Sequence, residues 1–247
     1  QVEKLYVFPC MGDGGNAVGG AIHVAVEKFG QQHYNLPHVY LGSAYSDADI
    51  MSELDRHQVV YQKVTRDERI DRVARAIADN KVVGWFQGRM EYGPRALGAR
   101  SILASATDAT INDSLNQRLD RTEFMPFAPV VRDESAPGCF VDWDETHVAS
   151  RYMTTCYDCT DFLRERCPAV VHVDGTARPQ VIFEVDNPDY YSVVARYDAL
   201  TGNPAIINTS FNHHEEPIVR SPDDAIRCYK RGNIDLLAIG NFIAEVK

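Results

Sequence analysis

With 247 residues, of which 45% are hydrophobic, 24% charged and 10% aromatic, the chain excludes a disordered or collagen-like reading. Its length lets it bury roughly three-quarters of its unfolded surface. The net charge of −10 argues against nucleic acid or an anionic membrane as partners, because both need a broad basic surface, and leaves room for a local basic pocket.

No signal peptide or twenty-residue apolar run is visible, so the six cysteines (Cys10, Cys139, Cys156, Cys159, Cys167 and Cys228) read as reduced thiols in a cytoplasmic protein. Cys156 and Cys159 form a CxxC followed by Cys167, but no second CxxC or paired histidine lies at zinc-finger spacing, which favours plain thiols. The 25 basic residues comprise 6 Lys and 19 Arg. Arginine is the cation whose planar fork matches phosphate and carboxylate.

Taken in chain order, Leu5–Phe8 reads as a strand running into the glycine turn Gly12–Gly15 and a small-residue helix from Asn16. A chain that starts at the edge of such a unit is expected to be a piece of something longer. A short helix fits Asp47 to His57, and a domain boundary falls near residues 62–66, after Pro37 and Gly42. Ile70, Val73, Ala74 and Ile77 recur at helical spacing, and Lys81–Phe86 reads as a strand. A helix fits Asp108 to Arg121, and strands fit 127–131, 169–173, 180–185 and 204–208. Ser221-Pro222-Asp223-Asp224 caps a helix running to Gly232, and 235–245 is a hairpin turning at Gly240-Asn241.

Three loops concentrate chemistry. Gln87–Ser101 crowds Arg89, Arg95 and Arg100 together with Gly93 and other glycines, a composition suited to an oxyanion because glycine lets backbone approach and arginine forks clamp; the alternative is a solvated turn with salt bridges. Val173–Gln180 supplies Thr176 and Arg178, and Ile207–Pro217 supplies Asn208, Thr209, Ser210 and Asn212, all fit for phosphate or ribose. Three such loops in one domain suggest a shared crevice. Gly12–Ala17 lacks the acid that a dinucleotide-binding unit needs after its second strand, and Asp13 reads either as a turn former or as a cation ligand. His213 and His214 are adjacent, and neighbours in an extended chain point apart and do not share one ion.

Together Gly88–Leu103, Glu123–Pro129, Asp174–Gln180, Asn208–Asn212 and Ile234–Phe242 resemble, in order, the carboxyl-terminal part of the NodU/CmcH-type O-carbamoyltransferase family. The resemblance implies a mixed α/β fold: a YrdC-like open twisted sheet with flanking helices over residues 63–247, preceded over 1–62 by the tail of an actin-like (sugar kinase/Hsp70) carbamoyltransferase domain. It implies ATP-dependent conversion of carbamoyl phosphate to carbamoyl-adenylate, with Mg²⁺ accompanying ATP, for transfer to an unknown acceptor hydroxyl in biosynthesis. The alternative is a binding module for nucleotide or carbamoyl phosphate without turnover.

Within that resemblance Arg95, Arg100 and Arg178 are the expected clamp. Arg89, Gly93, Ser101, Arg121, Thr176, Asn208, Ser210 and Asn212 are the expected substrate and nucleotide contacts, Arg121 being the nearest cation where many relatives carry a Lys and further Arg. Asp13 matches a metal-binding position for iron or another divalent ion, which the family completes with histidines of its amino-terminal half, and that half is an implied partner.

Overall fold

The computed structural model describes residues 6–31, 36–118 and 127–246. Helices α1 (Asp13–Phe29) and α2 (Asp47–Arg56) come first, then strand β1 (Gln62–Lys63), helix α3 (Arg66–Ala78) and strands β2 (Val83–Phe86) and β3 (Arg100–Ser105). There follow α4 (Ile111–Arg118), β4 (Ala128–Arg132), α5 (Ala136–Cys139), β5 (Tyr157–Asp158), α6 (Asp161–Arg166), β6 (Thr176–Ala177) and β7 (Gln180–Ile182). The chain ends with α7 (Pro188–Thr201), β8 (Ala205–Ser210), α8 (Pro222–Cys228), β9 (Leu236–Ile239) and β10 (Phe242–Glu245).

Eight strands form one mixed sheet in the order β1-β10-β9-β2-β3-β8-β4-β7, while β5 and β6 pair separately. The β2–β9 and β4–β7 pairs are parallel, and the other pairs of the large sheet are antiparallel. Both faces are covered, and the strand period of two divides the apolar residues cleanly. Val83, Trp85, Leu103, Val130, Ile206, Leu236 and Ala238 face the layer made by α3 and α7. Phe86, Ile102, Ala104, Val131, Ile207, Leu237 and Ile239 face the opposite core, which Ile50 and Leu54 of α2 join. Helix α1 buries none of its residues.

Helices α2, α3 and α8 each open on a capping box, Ser46/Asp49, Thr65/Glu68 and Ser221/Asp224. The box at α8 is the one read from the sequence, and the hairpin at Gly240-Asn241 holds, with Phe242 opposite Ile239.

Several expectations are corrected. Residues 6–8 are irregular, and Leu5 lies outside the described residues. The apolar run at 169–173 is a 3₁₀ turn over Pro168–Val170, since Pro168 has no N–H for a ladder and the amide of Val171 donates locally to its carbonyl. Helix α4 begins at Ile111 rather than Asp108, and residues 119–121 of the expected span lie outside the described residues. Helix α8 stops at Cys228, and Tyr229–Asn233 is a π-helical turn.

Strand β3 and helix α7 were not anticipated. β3 begins inside the glycine-rich segment, so its last arginine is a strand residue. α7 begins with Asn187 as N-cap and Pro188 in its first turn. Gly98, with φ +97°, lies between β2 and β3 against Tyr190 of α7, where an added Cβ would come within 2.2 Å of the ring. Gly98→Ala combines backbone strain with overpacking against a fully buried ring, and is expected to cost about 3 kcal/mol. Denaturant unfolding checks this, and a midpoint equal to that of the parent chain would refute it.

Candidate active site

The sheet brings the starts of β3, β4 and β7 and the end of β8 to one edge, because β8 runs antiparallel to its neighbours β3 and β4 while β7 runs parallel to β4. The loop that enters β3 carries Arg95, and nearly every backbone polar group of residues 96–100 has an assigned partner. Glu91 Oε1 accepts from the amides of Leu97 (2.5 Å), Ala99 (3.1 Å) and Arg100 (3.3 Å). Asn208 Nδ2 donates to Ala96 O at 3.1 Å, and Tyr40 Oη and Gln180 Nε2 both donate to Leu97 O at 2.8 Å. Trp85 Nε1 donates to Gly98 O at 2.9 Å, and Gly98 N donates to Ser101 Oγ at 3.1 Å. The loop therefore emerges as a rigid support even though it is neither helix nor strand.

Beside it opens a cavity of about 230 Å³ whose lining includes Arg95, Arg178, Asn208, Ser210 and Asn212 together with the apolar Phe127 and Met153. Five of the sequence-nominated residues from three separate segments thus meet in one place. Neither Arg95 nor Arg178 forms a salt bridge among the described residues, and the Nε of each is buried without a hydrogen-bond partner. Burial lowers the Arg178 guanidinium from its ordinary value, and the like charge of Arg95 lowers it further. Glu215 is the one carboxylate lining the cavity among the described residues, and its side chain is 87% exposed, too well solvated to neutralise the pair. Asn208 is buried; its Nδ2 also donates to Gln180 Oε1 at 2.7 Å, and its Oδ1 is left without a partner. Ser210 Oγ donates to Asn212 Oδ1 at 2.6 Å, and Asn212 Nδ2 donates to Glu216 O at 2.7 Å. Two cations without a salt bridge among the described residues, amide and hydroxyl groups and apolar side chains thus share one cavity, a combination with the chemistry to receive an anion.

The other nominated residues that are described do not line this cavity. Arg100 is fully buried and stacks on Phe86 with its guanidinium carbon 3.6 Å from the ring centroid. It donates to the carbonyls of Gln87, Ala99, Ser43 and Gly88 at 2.9–3.2 Å. Burial pulls it down to about 10 while Glu91 acts in the opposite sense. Its guanidinium is thus engaged by backbone carbonyls, which corrects the expectation of a clamp. Ser101 is buried under Gly98. Arg89 is exposed and donates to Leu41 O at 2.7 Å. Thr176 donates to Asp174 Oδ1 at 2.8 Å within its own turn. Gly93 has φ +113° and turns the chain close to Pro9 O. Arg121 lies outside the described residues. The glycine-rich backbone itself holds an anion, but that anion is Glu91, a residue the sequence did not single out.

All six cysteines are free, and none belongs to a metal-ligand group among the described residues. Asp13 is exposed in the first turn of α1 and belongs to no group of three ligand side chains among the described residues. One such group exists there, Glu53, His57 and Asp223, but Arg56 donates to both carboxylates and supplies the positive charge itself. No described helix is long and apolar enough to cross a membrane.

Comparison with known proteins identifies the class. The carbamoyltransferase C-terminus family matches residues 74–246, so the chain belongs to that family, as its motifs implied. A 3'-hydroxymethylcephem-O-carbamoyltransferase from Amycolatopsis lactamdurans is 32% identical over 95% of this chain and 43% of its own length. The nodulation protein NolNO of Sinorhizobium fredii is 35% identical over 98% of this chain and 36% of its own. An uncharacterized protein of Methanocaldococcus jannaschii is 36% identical over 99% and 41%. The chain thus spans less than half the length of these relatives. Full-length HypF, solved in a phosphate- and nucleotide-bound form, shares the fold at TM-score 0.51 and 20% identity over 72% of this chain and 26% of that one, which agrees with the mixed open sheet and flanking helices expected.

Arg100 and Arg95 separate by experiment. Arg100→Ala strips a donor from four carbonyls and is expected to cost about 3 kcal/mol of stability, whereas Arg95→Ala leaves the melting temperature near that of the parent. Thermal unfolding of both variants checks this, and equal melting temperatures would contradict it.

Proposed function

We propose that the cavity binds carbamoyl phosphate and the phosphates of ATP and forms carbamoyl-adenylate, for later transfer of the carbamoyl group to an acceptor hydroxyl. The observation that carries this reading is the pair Arg95 and Arg178, two guanidinium groups with unused buried Nε donors lining one cavity, with no salt-bridge partner among the described residues. A dianionic phosphate supplies that balance, and two forks fix its orientation. Asn208 Oδ1, a buried acceptor without a partner, suits the amino group of a carbamoyl substrate, which an acyl phosphate lacking that group would leave unmatched. Phe127 and Met153 shed bulk water from the wall, where charge interactions strengthen.

The reaction balances as one carbamoyl phosphate, one ATP and one water giving carbamoyl-adenylate, orthophosphate and pyrophosphate. Water first cleaves carbamoyl phosphate to carbamate and orthophosphate; a carbamate oxygen then forms a bond to the α-phosphorus of ATP while the bond from that phosphorus to pyrophosphate breaks. Arg95 and Arg178 neutralise the gathering negative charge and hold the reacting groups in line, with Ser210 and Asn212 as hydrogen-bonding support. Mg²⁺ bound to ATP screens the phosphate charges when present. The cations around the cavity and the exposed Glu215 fit a metal carried in by phosphate better than one held by protein. Among the described residues Asp13 has no companion ligands, so a metal there would need ligands from elsewhere.

A second reading follows from the length of the relatives: alone, this part binds ATP and carbamoyl phosphate, and the whole protein turns them over. With carbamoyl phosphate, ATP and Mg²⁺, pyrophosphate release is expected from the chain, and Arg178→Ala or Arg95→Ala is expected to lower it roughly hundredfold. Release unchanged in both variants would refute the site, while ATP binding without any release would favour the binding module.

A further inference from the structure

Glu91 is a buried carboxylate with no place in the chemistry above. It is 4% exposed, forms no salt bridge among the described residues, and has an Oε2 with no hydrogen-bond partner. Its Oε1 gathers the amides of Leu97, Ala99 and Arg100. Successive amides converging on one point form an anion-binding concavity, and this chain fills that concavity with its own side chain. The consequence reaches Arg95. Residues 92–96 form the short span between Glu91 and the amides it holds, so the carboxylate closes a ring of backbone with Arg95 at its outer edge. On the far side Asn208 holds Ala96 O and Gln180 holds Leu97 O, which leaves the Arg95 backbone little freedom.

We infer that Glu91 is the positioning residue for Arg95: it fixes the loop so that this guanidinium meets the anion. The inference rests on the reading of the cavity as an anion site. A carboxylate suits the task better than an amide, because one ionised oxygen accepts three N–H groups while its charge faces Arg100, whose guanidinium it stabilises.

The test is a double-mutant cycle on affinity for inorganic phosphate, measured by calorimetry on the parent chain, Glu91→Gln, Arg95→Ala and the double variant, with thermal melting of each. Glu91→Gln is expected to weaken phosphate binding about tenfold, and to cost nothing further once Arg95 is alanine. Losses that multiply in the double variant, or a Glu91→Gln variant that binds as the parent does, would overturn the inference and leave the anion site standing. A fall in melting temperature without that coupling would mark Glu91 as structural only and overturn it equally. Failure of the parent chain to bind phosphate at millimolar concentration would instead remove the anion site, and the role of Glu91 with it. If Glu91→Gln does not fold, Glu91→Asp, which keeps the charge but withdraws the acceptor by one methylene, enters the same cycle with the same criteria.

Discussion

The constraint on which this architecture turns is the satisfaction of backbone polar groups in a buried segment that is neither helix nor strand. Residues 96–99 are all buried, and a buried amide or carbonyl without a partner costs about as much as a lost hydrogen bond. The chain answers with side chains drawn from far apart in sequence: Tyr40, Trp85, Glu91, Gln180, Asn187 and Asn208 all reach this segment. Each of them has to be in place for the loop to hold its shape, so the loop is well formed only when β7, β8 and the start of α7 are assembled. The site is in this sense a product of the whole sheet.

How far this was legible depended on the kind of signal. Arg95, Arg178, Asn208, Ser210 and Asn212 stood out because polar and cationic residues beside small ones in three short segments suggest convergence, and they line one cavity. Phe127 and Met153 were not nominated, since an aromatic or a methionine outside a periodic pattern carries no sign of which surface it faces. Arg100 was misassigned because spacing alone does not distinguish an arginine in a loop from one entering a buried strand, where Phe86 and four carbonyls wait. The 3₁₀ turn at Pro168 arose from an apolar run read as strand, and the π-helical turn after Cys228 from carrying a capped helix on to Gly232 past the point where its hydrogen bonding changes. Glu91 was missed for a related reason: a lone acid among arginines reads as a salt-bridge partner, while its actual partners are backbone amides with no signature in the side-chain sequence.

The two halves of the glycine-rich segment divide the electrostatics. Glu91 and Arg100 sit on the buried side and act on one another; their partnered polar atoms engage backbone, while Glu91 Oε2 and Arg100 Nε have no hydrogen-bond partner. Arg95, on the cavity side, finds its neighbouring charge in Arg178, a cation. Had Glu91 instead faced Arg95, one of the two positive charges at the cavity would be neutralised at rest by a permanent internal carboxylate. Directing that carboxylate into the amides of Leu97, Ala99 and Arg100 keeps a negative group close to the site without spending the site's positive charge.

This division also accounts for the use of arginine at each of the three positions. Arg100 needs several donors spread in a plane to serve four carbonyls while its face lies on an aromatic ring, which an ammonium group does not offer. Arg178 lies in a setting that lowers its affinity for a proton, and a lysine in the same surroundings, starting about two pH units lower, would be more readily neutralised. A guanidinium there keeps its charge and its forked donors. The excess of arginine over lysine in the chain has at these three positions a chemical reason: one cation supports the loop, and two line the cavity with forked donors free.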